Sequence, residues 1–312
     1  MTSIVKAISA LAASGMLAAP VFADFTVTKD TNTWQVGGFV ELENTYTDKS
    51  GADAQYGMQV NRTRFYIKSA HDTEQGKLTT RVEYDFGGKT TDTDVEPRLR
   101  HAVINWNGWT AGQTSSTFSN PEANHETVDD AMPAAITGLS STPDDRNPQL
   151  AYGAEIGNGL SYKAGFEKPA TDASTVRPLF AARLAYDQKG ALAWSLAAAS
   201  YEDANGDSWN RGLIGARLNT GAISYRAAFV RDNGIDGRSA SASVRYTFDQ
   251  GEWLGLTYEK ARVAEKTGDR AYLSLYQQLA SNLEAGIEYS KRGLNADNTE
   301  TDIARVDLKA RF

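Results

Sequence analysis

The 312-residue chain contains no cysteine, which excludes a disulfide scaffold, a thiolate zinc site and a cysteine nucleophile. Histidine is scarce too: His71, His101 and His125 are the only three. None stands in a His-Glu-x-x-His spacing, and neither a calcium-loop pattern nor a Gly-x-Ser-x-Gly elbow occurs. No catalytic residue, metal or cofactor is therefore assigned. An excess of positive charge is also lacking. Lys and Arg total 32 against 39 Asp and Glu, with a pI near 5.1, which speaks against a nucleic-acid partner. Beyond the N-terminus there is no long apolar run, and the mean hydropathy is −0.46. A bundle of membrane-spanning helices is thereby ruled out. With 23% charged and 41% hydrophobic residues, the composition is that of a folded chain rather than a disordered one.

The N-terminus has its own pattern. Lys6 precedes an apolar stretch from Ala7 to Ala19, then Pro20 and Val21-Phe22-Ala23, with small residues where a signal peptidase reads. This order predicts a secretory signal over residues 1–23, cleaved after Ala23, and a single domain over residues 24–312. An exported chain with no further apolar run is secreted, periplasmic or an outer-membrane barrel.

After Ala23 the hydrophobic period is two. Phe65 and Ile67 oppose Arg64, Tyr66 and Lys68. Leu78, Thr80, Val82, Tyr84 and Phe86 oppose Lys77, Thr79, Arg81, Glu83 and Asp85. Tyr225, Ala227 and Phe229 oppose Ser224, Arg226 and Ala228. Successive strand side chains point to opposite faces, so each segment has one apolar and one polar face. Many segments exceed the usual globular strand and suit a tilted bilayer crossing. Turn signals such as Asn158-Gly159, Lys189-Gly190 and Gln250-Gly251 separate them. The pattern predicts sixteen strands. They begin near Trp34, Gly57, Lys77, Pro97, Trp109, Gln149, Leu160, Pro178, Ala191, Ser208, Ala222, Gly237, Trp253, Arg270, Asn282 and Thr301. The expected fold is all-β, a transmembrane antiparallel barrel. Tyr84, Tyr186, Tyr246, Tyr258 and Tyr289, near strand ends, read as an aromatic girdle. A final alternating strand ends in Phe312, which resembles the assembly signal of outer-membrane barrels.

Two places break the rhythm. Along the fourth strand Arg98 and Arg100 should face the lumen, yet Ala102, Ile104 and Trp106 continue that face while His101, Val103 and Asn105 take the other. Neither face is clean. A folded-in loop inside and another subunit outside would account for such a strand. From Gly112 to Gln149 the alternation stops altogether, and four of the eight prolines fall there. A connection this long is functional or disordered.

The motifs around these breaks carry a family likeness. Gly37-Gly38-Phe39, Asn61-Arg62-Thr63-Arg64-Phe65, Pro97-Arg98-Leu99-Arg100-His101-Ala102, Gly108 and Ala111-Gly112-Gln113-Thr114-Ser115-Ser116-Thr117-Phe118 resemble the motif of DcaP-like outer-membrane porins. The match covers roughly the first third of the chain after the signal. It implies a trimeric sixteen-stranded diffusion channel of the bacterial outer membrane, favouring small anionic solutes such as carboxylates. Residues 115–148 would be the constriction loop, folded inward and carrying Glu122, Glu126, Asp129 and Asp130. The chain departs from the family in placing Ser115 and Ser116 where an aromatic residue often follows Gly-Gln-Thr. It also leaves only about ten residues before the first strand, where some members carry a helical extension.

The lumen phase places Arg62, Arg64, Arg81, Arg98, Arg100, Arg183, Arg211, Arg217, Arg226, Arg245 and Arg305 along the pore. Basic side chains outnumber acids such as Glu41, Glu43, Glu83 and Asp85 on that face, while much negative charge falls in loops. Rings of Arg favour anions, and Arg suits paired hydrogen bonds to carboxylates. Arg62, Arg64, Arg81, Arg98 and Arg100 are expected to form one basic wall opposite the acidic loop. The expected partners are outer-membrane lipid, small anionic or polar solutes and two further copies of the chain. The rival readings are an outer-membrane lipase or protease, using a histidine with Ser115, Ser116 or Asp129, and a non-conducting structural barrel.

Overall fold

The computed structural model describes residues 25–87, 90–91, 94–119, 121–128, 146–168, 177–202, 207–264, 266–294 and 299–312. The expected signal over residues 1–23, and Asp129 and Asp130, lie outside the described residues.

The chain forms one closed antiparallel barrel of sixteen strands. They are β1 (Asn32–Lys49), β2 in two segments (Gln55–Gln59 and Arg64–Thr73), β3 (Gly76–Asp85), β4 (Arg98–Trp106), β5 (Trp109–Ser115), β6 (Arg146–Gly157), β7 (Leu160–Glu167) and β8 (Leu179–Gln188). Then follow β9 (Leu192–Glu202), β10 (Ser208–Thr220), β11 (Ile223–Asp232), β12 (Gly237–Thr247), β13 (Trp253–Val263), β14 (Lys266–Ala280), β15 (Leu283–Leu294) and β16 (Thr299–Arg311). Each pairs with the next. The cylinder closes where β16 pairs with β1, from Phe39 opposite Arg311 to Lys49 opposite Thr301. Phe312 seals the seam by exchanging two backbone hydrogen bonds with Gly38. Closure gives each of the sixteen strands a partner on both sides among the described residues. A short strand, Phe25–Lys29, folds back on the start of β1 beyond the end of β16.

The strand starts agree with the period-two reading to within a few residues. The largest gap is at β14, which begins at Lys266 rather than near Arg270, because Lys-Thr-Gly-Asp reads locally as a turn. One rim carries tight turns. Asn107-Gly108 and Asn158-Gly159 take positive φ at both residues, the two-residue hairpin geometry that asparagine and glycine adopt most easily. The opposite rim carries the longer connections, the extracellular arrangement of such barrels.

The outer surface is apolar, with Val40, Phe65, Ile104, Leu150, Leu196, Ile214, Leu256 and Leu273 among its exposed side chains. Tyr84, Tyr246, Tyr258 and Tyr289 stand among them. In water this surface would aggregate; in lipid it is the required band. The barrel is therefore an outer-membrane one.

The fourth strand is corrected by a β-bulge. Glu83 pairs with His101 and Tyr84 with Leu99, so Arg100 is the extra residue. One inserted residue reverses the faces beyond it. Arg98, Arg100, His101, Val103 and Asn105 thus face the lumen. Ile104 and Trp106 lie on the lipid face, exposed outward. The mixed faces read from sequence are two clean faces joined by a phase switch, and need no covering loop or subunit to explain them.

Candidate functional site: the lumen

The first half of the long loop lies inside the barrel. Phe118 is fully buried, packed with Leu179, Ala181, Ala197, Ala199, Leu213, Ala228 and Val230 from β8–β11. These are lumen-facing positions, so one sector of the interior is a small dry core plugged by a single phenylalanine. The loop then crosses the wall on polar contacts. Thr117 N donates to Glu167 at 2.6 Å, Arg183 donates to the Ser119 carbonyl at 2.6 Å, and Ser195 donates to Glu122 at 3.0 Å. Glu126 accepts from Arg226 at 2.6 Å and from Arg245 at 2.9 Å. Val128 N donates to Glu288 at 2.8 Å.

Two glycines make room for this path. A Cβ on Gly255 would meet the Glu126 carbonyl at 2.6 Å, and one on Gly286 would meet Val128 Cγ1 at 2.5 Å. Both face inward on β13 and β15. The wall is notched where the loop lies against it.

The sector left open carries the basic wall, and its carboxylates are buried beneath the arginines. Arg98 grips Asp85 with two nitrogens, at 2.9 and 2.7 Å. Arg100 bridges Glu83 at 3.1 Å and Asp85 at 2.5 Å. Arg81 also pairs with Glu83. Glu43 serves Arg62 at 3.4 Å and Arg305 at 3.5 Å, while Glu41 serves Arg62 at 3.6 Å and Lys309 at 3.5 Å. Asp85 and Glu83 side chains are 1% and 2% exposed, against 50% for Arg98 and 37% for Arg81. The open side of this wall therefore presents mainly guanidinium groups, with the carboxylates set back beneath them. A cavity of about 840 Å³ lies between this wall and the loop backbone at Ser119, Pro121 and Asn124. Eight cationic side chains line it against two carboxylates, Glu43 and Asp85, and a row of Ser and Thr hydroxyls from Thr110 to Ser119. A second hollow of about 480 Å³ shares Asn105 and Thr114 with the first and runs on past Lys68, Lys77 and Arg81 with no carboxylate in its lining.

No family model and no curated protein matches the chain in sequence. Solved structures do match in shape. The outer membrane channel DcaP of Acinetobacter baumannii superposes with a TM-score of 0.77 at 18% identity, covering 93% of this chain and 100% of that one. The chain has the fold of the outer-membrane porins. OmpF of Salmonella typhi, solved with daunomycin, gives 0.72 at 13% identity over 92% of this chain and 100% of that one. A trimer form of OmpT, an outer membrane protein of Vibrio cholerae, gives 0.62 at 14% over 91% of this chain and 100% of that one.

Within this porin fold the arginines named from sequence have different positions. Arg62, Arg64, Arg98, Arg100, Arg183 and Arg305 line the main cavity, and Arg81 the hollow below it. Arg62 sits in a turn between the halves of β2 rather than on a strand. Arg183, Arg226 and Arg245 hold the loop. Arg211 is buried against Asp232 at 2.7 Å, which also accepts from Tyr201. Arg217 is 3.6 Å from Asp187 at the tight-turn rim. Glu126 was expected across the gap from the wall; it points instead into its own clamp. Arg146 joins the cavity lining without having been singled out. Sequence reading also missed Phe118 as a plug. The signal was there in the run of inward Ala and Leu on β8–β11, which a solvated lumen does not need.

His101 Nδ1 is 2.9 Å from Thr114 Oγ1, not from a serine. His125 is buried in the loop, and neither ring nitrogen has a hydrogen-bond partner among the described residues. Burial, with the Arg270 charge nearby, pushes its imidazole down to about 4, so it is neutral near pH 7. His71 Nε2 lies 3.1 Å from Ser69 Oγ, but that serine is buried on the outer face and bonded to Thr80. Ladder pairing on both sides of Ser69 commits the local amides that an oxyanion would need.

Proposed function

We propose that this barrel is a water-filled diffusion channel of the outer membrane that favours small anions, organic carboxylates among them, and works as a homotrimer after removal of residues 1–23. The carrying observation is the arrangement of charge in the open sector. Eight cations line the cavity, and its two carboxylates lie beneath guanidinium groups. A confined aqueous gap strengthens that bias. Two unit charges about 4 Å apart interact by about 1 kcal/mol in bulk water and about 4 kcal/mol at an effective dielectric near 20. Arginine forks add geometry suited to carboxylates. The neighbour described as an outer membrane channel supports conduction, and the trimer form of another supports the assembly. The histidines of the rival hydrolase reading are placed otherwise: His101 is against Thr114, and the serine beside His71 is buried and bonded to Thr80. The test is the reversal potential of the reconstituted protein in a salt gradient. Anion selectivity that shrinks as salt rises is expected, because the screening length falls to about 3 Å at 1 M. A cation-selective channel, or a barrel with no steady open level, would overturn the proposal.

A further inference from the structure

The outer face of the barrel carries a row of positive charge where lipid should be. Arg231 on β11 is directly opposite Arg238 on β12, and Arg238 is directly opposite Arg262 on β13. All three are exposed, as is Lys260 one pair lower on β13. They share the lipid face with Tyr225, Phe229, Tyr246, Leu256 and Tyr258. Like charges placed opposite one another across adjacent strands repel. Other basic groups near this rim are neutralised: Arg177 is 3.6 Å from Glu202 and Lys291 is 2.8 Å from Glu300. Among the described residues, no carboxylate comes within ion-pair distance of Arg231, Arg238, Lys260 or Arg262. Arg262 donates to the Ala264 carbonyl at 2.7 Å. Asp269 is opposite Lys260 at the margin of the row.

The row also has a definite height and a hollow. It stands at the strand ends on the rim that carries the longer connections elsewhere in the barrel, although its own connections, 233–236 and 264–265, are short. The rise from Tyr246 to Arg238 along a tilted strand is on the order of 20 Å, close to the apolar band of about 25 Å in such barrels. The arginines therefore lie at the boundary between outer-leaflet acyl chains and headgroups. A groove of about 510 Å³ opens there, lined by Phe229, Arg238, Ala240, Lys260, Arg262 and Thr267. Ala240 sits between Phe229 and Lys260 in the ladder, and its small side chain creates the depression. Above are cations and a hydroxyl; below are an aromatic ring and a methyl group.

We propose that this groove binds the phosphorylated headgroup of an outer-leaflet glycolipid, the lipid A portion of lipopolysaccharide. Arg238 and Arg262 take the phosphate oxygens, Arg231 and Lys260 flank them, and an acyl chain lies against Phe229 and Ala240. A phosphate between the arginines converts their mutual repulsion into charge-assisted hydrogen bonds. The site is on the outside of the barrel and is independent of conduction.

Native mass spectrometry of the intact oligomer tests this, with purified bisphosphorylated lipid A, its dephosphorylated form and phosphatidylglycerol as probes. The wild type should retain bisphosphorylated lipid A at least about tenfold better than the dephosphorylated form or phosphatidylglycerol. The triple variant Arg231→Gln/Arg238→Gln/Arg262→Gln should lose about tenfold of that retention, with the oligomer and its conductance unchanged. A triple Lys variant at the same positions should keep most of it, which separates charge from folding. Equal retention by wild type and the Gln variant would overturn the proposal. So would retention of phosphatidylglycerol as strong as that of lipid A, which would make the row a reader of any anionic headgroup.

Discussion

Arg226 Nε donates to Glu126 Oε1 at 2.6 Å across a sequence separation of 100 residues, and with Arg245 it fixes the loop against the far wall of the lumen. Both partners are largely shielded from water. Removing one member of such a pair leaves the other charge uncompensated, at a cost of about 3–5 kcal/mol. Glu126→Gln should therefore free the loop without dissolving the barrel, whose strand ladder does not involve it. Higher and noisier single-channel conductance is expected. Unchanged, quiet openings would mean that the contacts through Phe118 and Val128 hold the loop alone.

The two glycine notches give an independent handle. Gly286→Val and Gly255→Ala each place carbon where Val128 or the Glu126 carbonyl now lies. The loop is expected to shift towards the open sector, since the wall is held on both sides by the ladder. Conductance should fall rather than rise, opposite in sign to Glu126→Gln. A rise would show that the loop detaches instead of shifting.

Phe118 fills an otherwise alanine- and leucine-lined recess. Phe118→Ala removes a buried ring, worth about 3–5 kcal/mol in a closed core. Most of that loss should fall on loop docking, so proteolysis within residues 119–145 should accelerate while the strands remain protected. Equal resistance in variant and parent would remove Phe118 as the anchor.

Arg98 and Arg100 should separate by substitution. Arg98 is half exposed and grips Asp85 from the rim of the cavity; Arg100 is 7% exposed and bridges both Glu83 and Asp85. Arg98→Ser is expected to shift selectivity towards cations with little loss of stability, because Arg100 still covers Asp85. Arg100→Ser should lower the thermal unfolding temperature of the oligomer, since two buried carboxylates lose their shared partner. Equal thermal stability in the two variants would contradict this division of roles.

His125 supplies a pH dependence. Its ring is neutral in the docked loop, with a pKa near 4, against about 6.5 for a solvated imidazole. Release of the loop then takes up a proton below about pH 6.5. Docking should be fully present above that value, weaken as pH falls towards about 4, and level off below. Conductance noise recorded at pH 7 and pH 5 checks the sign, and His125→Gln should abolish the difference. Equal noise at both pH values in the parent would uncouple this imidazole from loop docking.

Much of this architecture was legible without coordinates. A period of two repeated over sixteen segments allows only a sheet with one wet and one apolar face. Its strand lengths suit a bilayer, and turn residues such as Asn158-Gly159 separate the segments. Side-chain direction along a regular strand is a local property, so Arg64, Arg226 and Arg245 could be turned inward from sequence alone. What the sequence could not decide depends on partners. The bulge at Arg100 exists only relative to β3, and it reversed every face from His101 to Trp106. Which arginines line the open cavity and which hold the loop was settled by closure. Closing the barrel brings Glu126 to Arg226 and Arg245, buries Glu83 and Asp85 under guanidinium groups, and sets Gly255 and Gly286 beneath a loop from the opposite side. Those contacts join residues far apart in the chain, and no local periodicity records them.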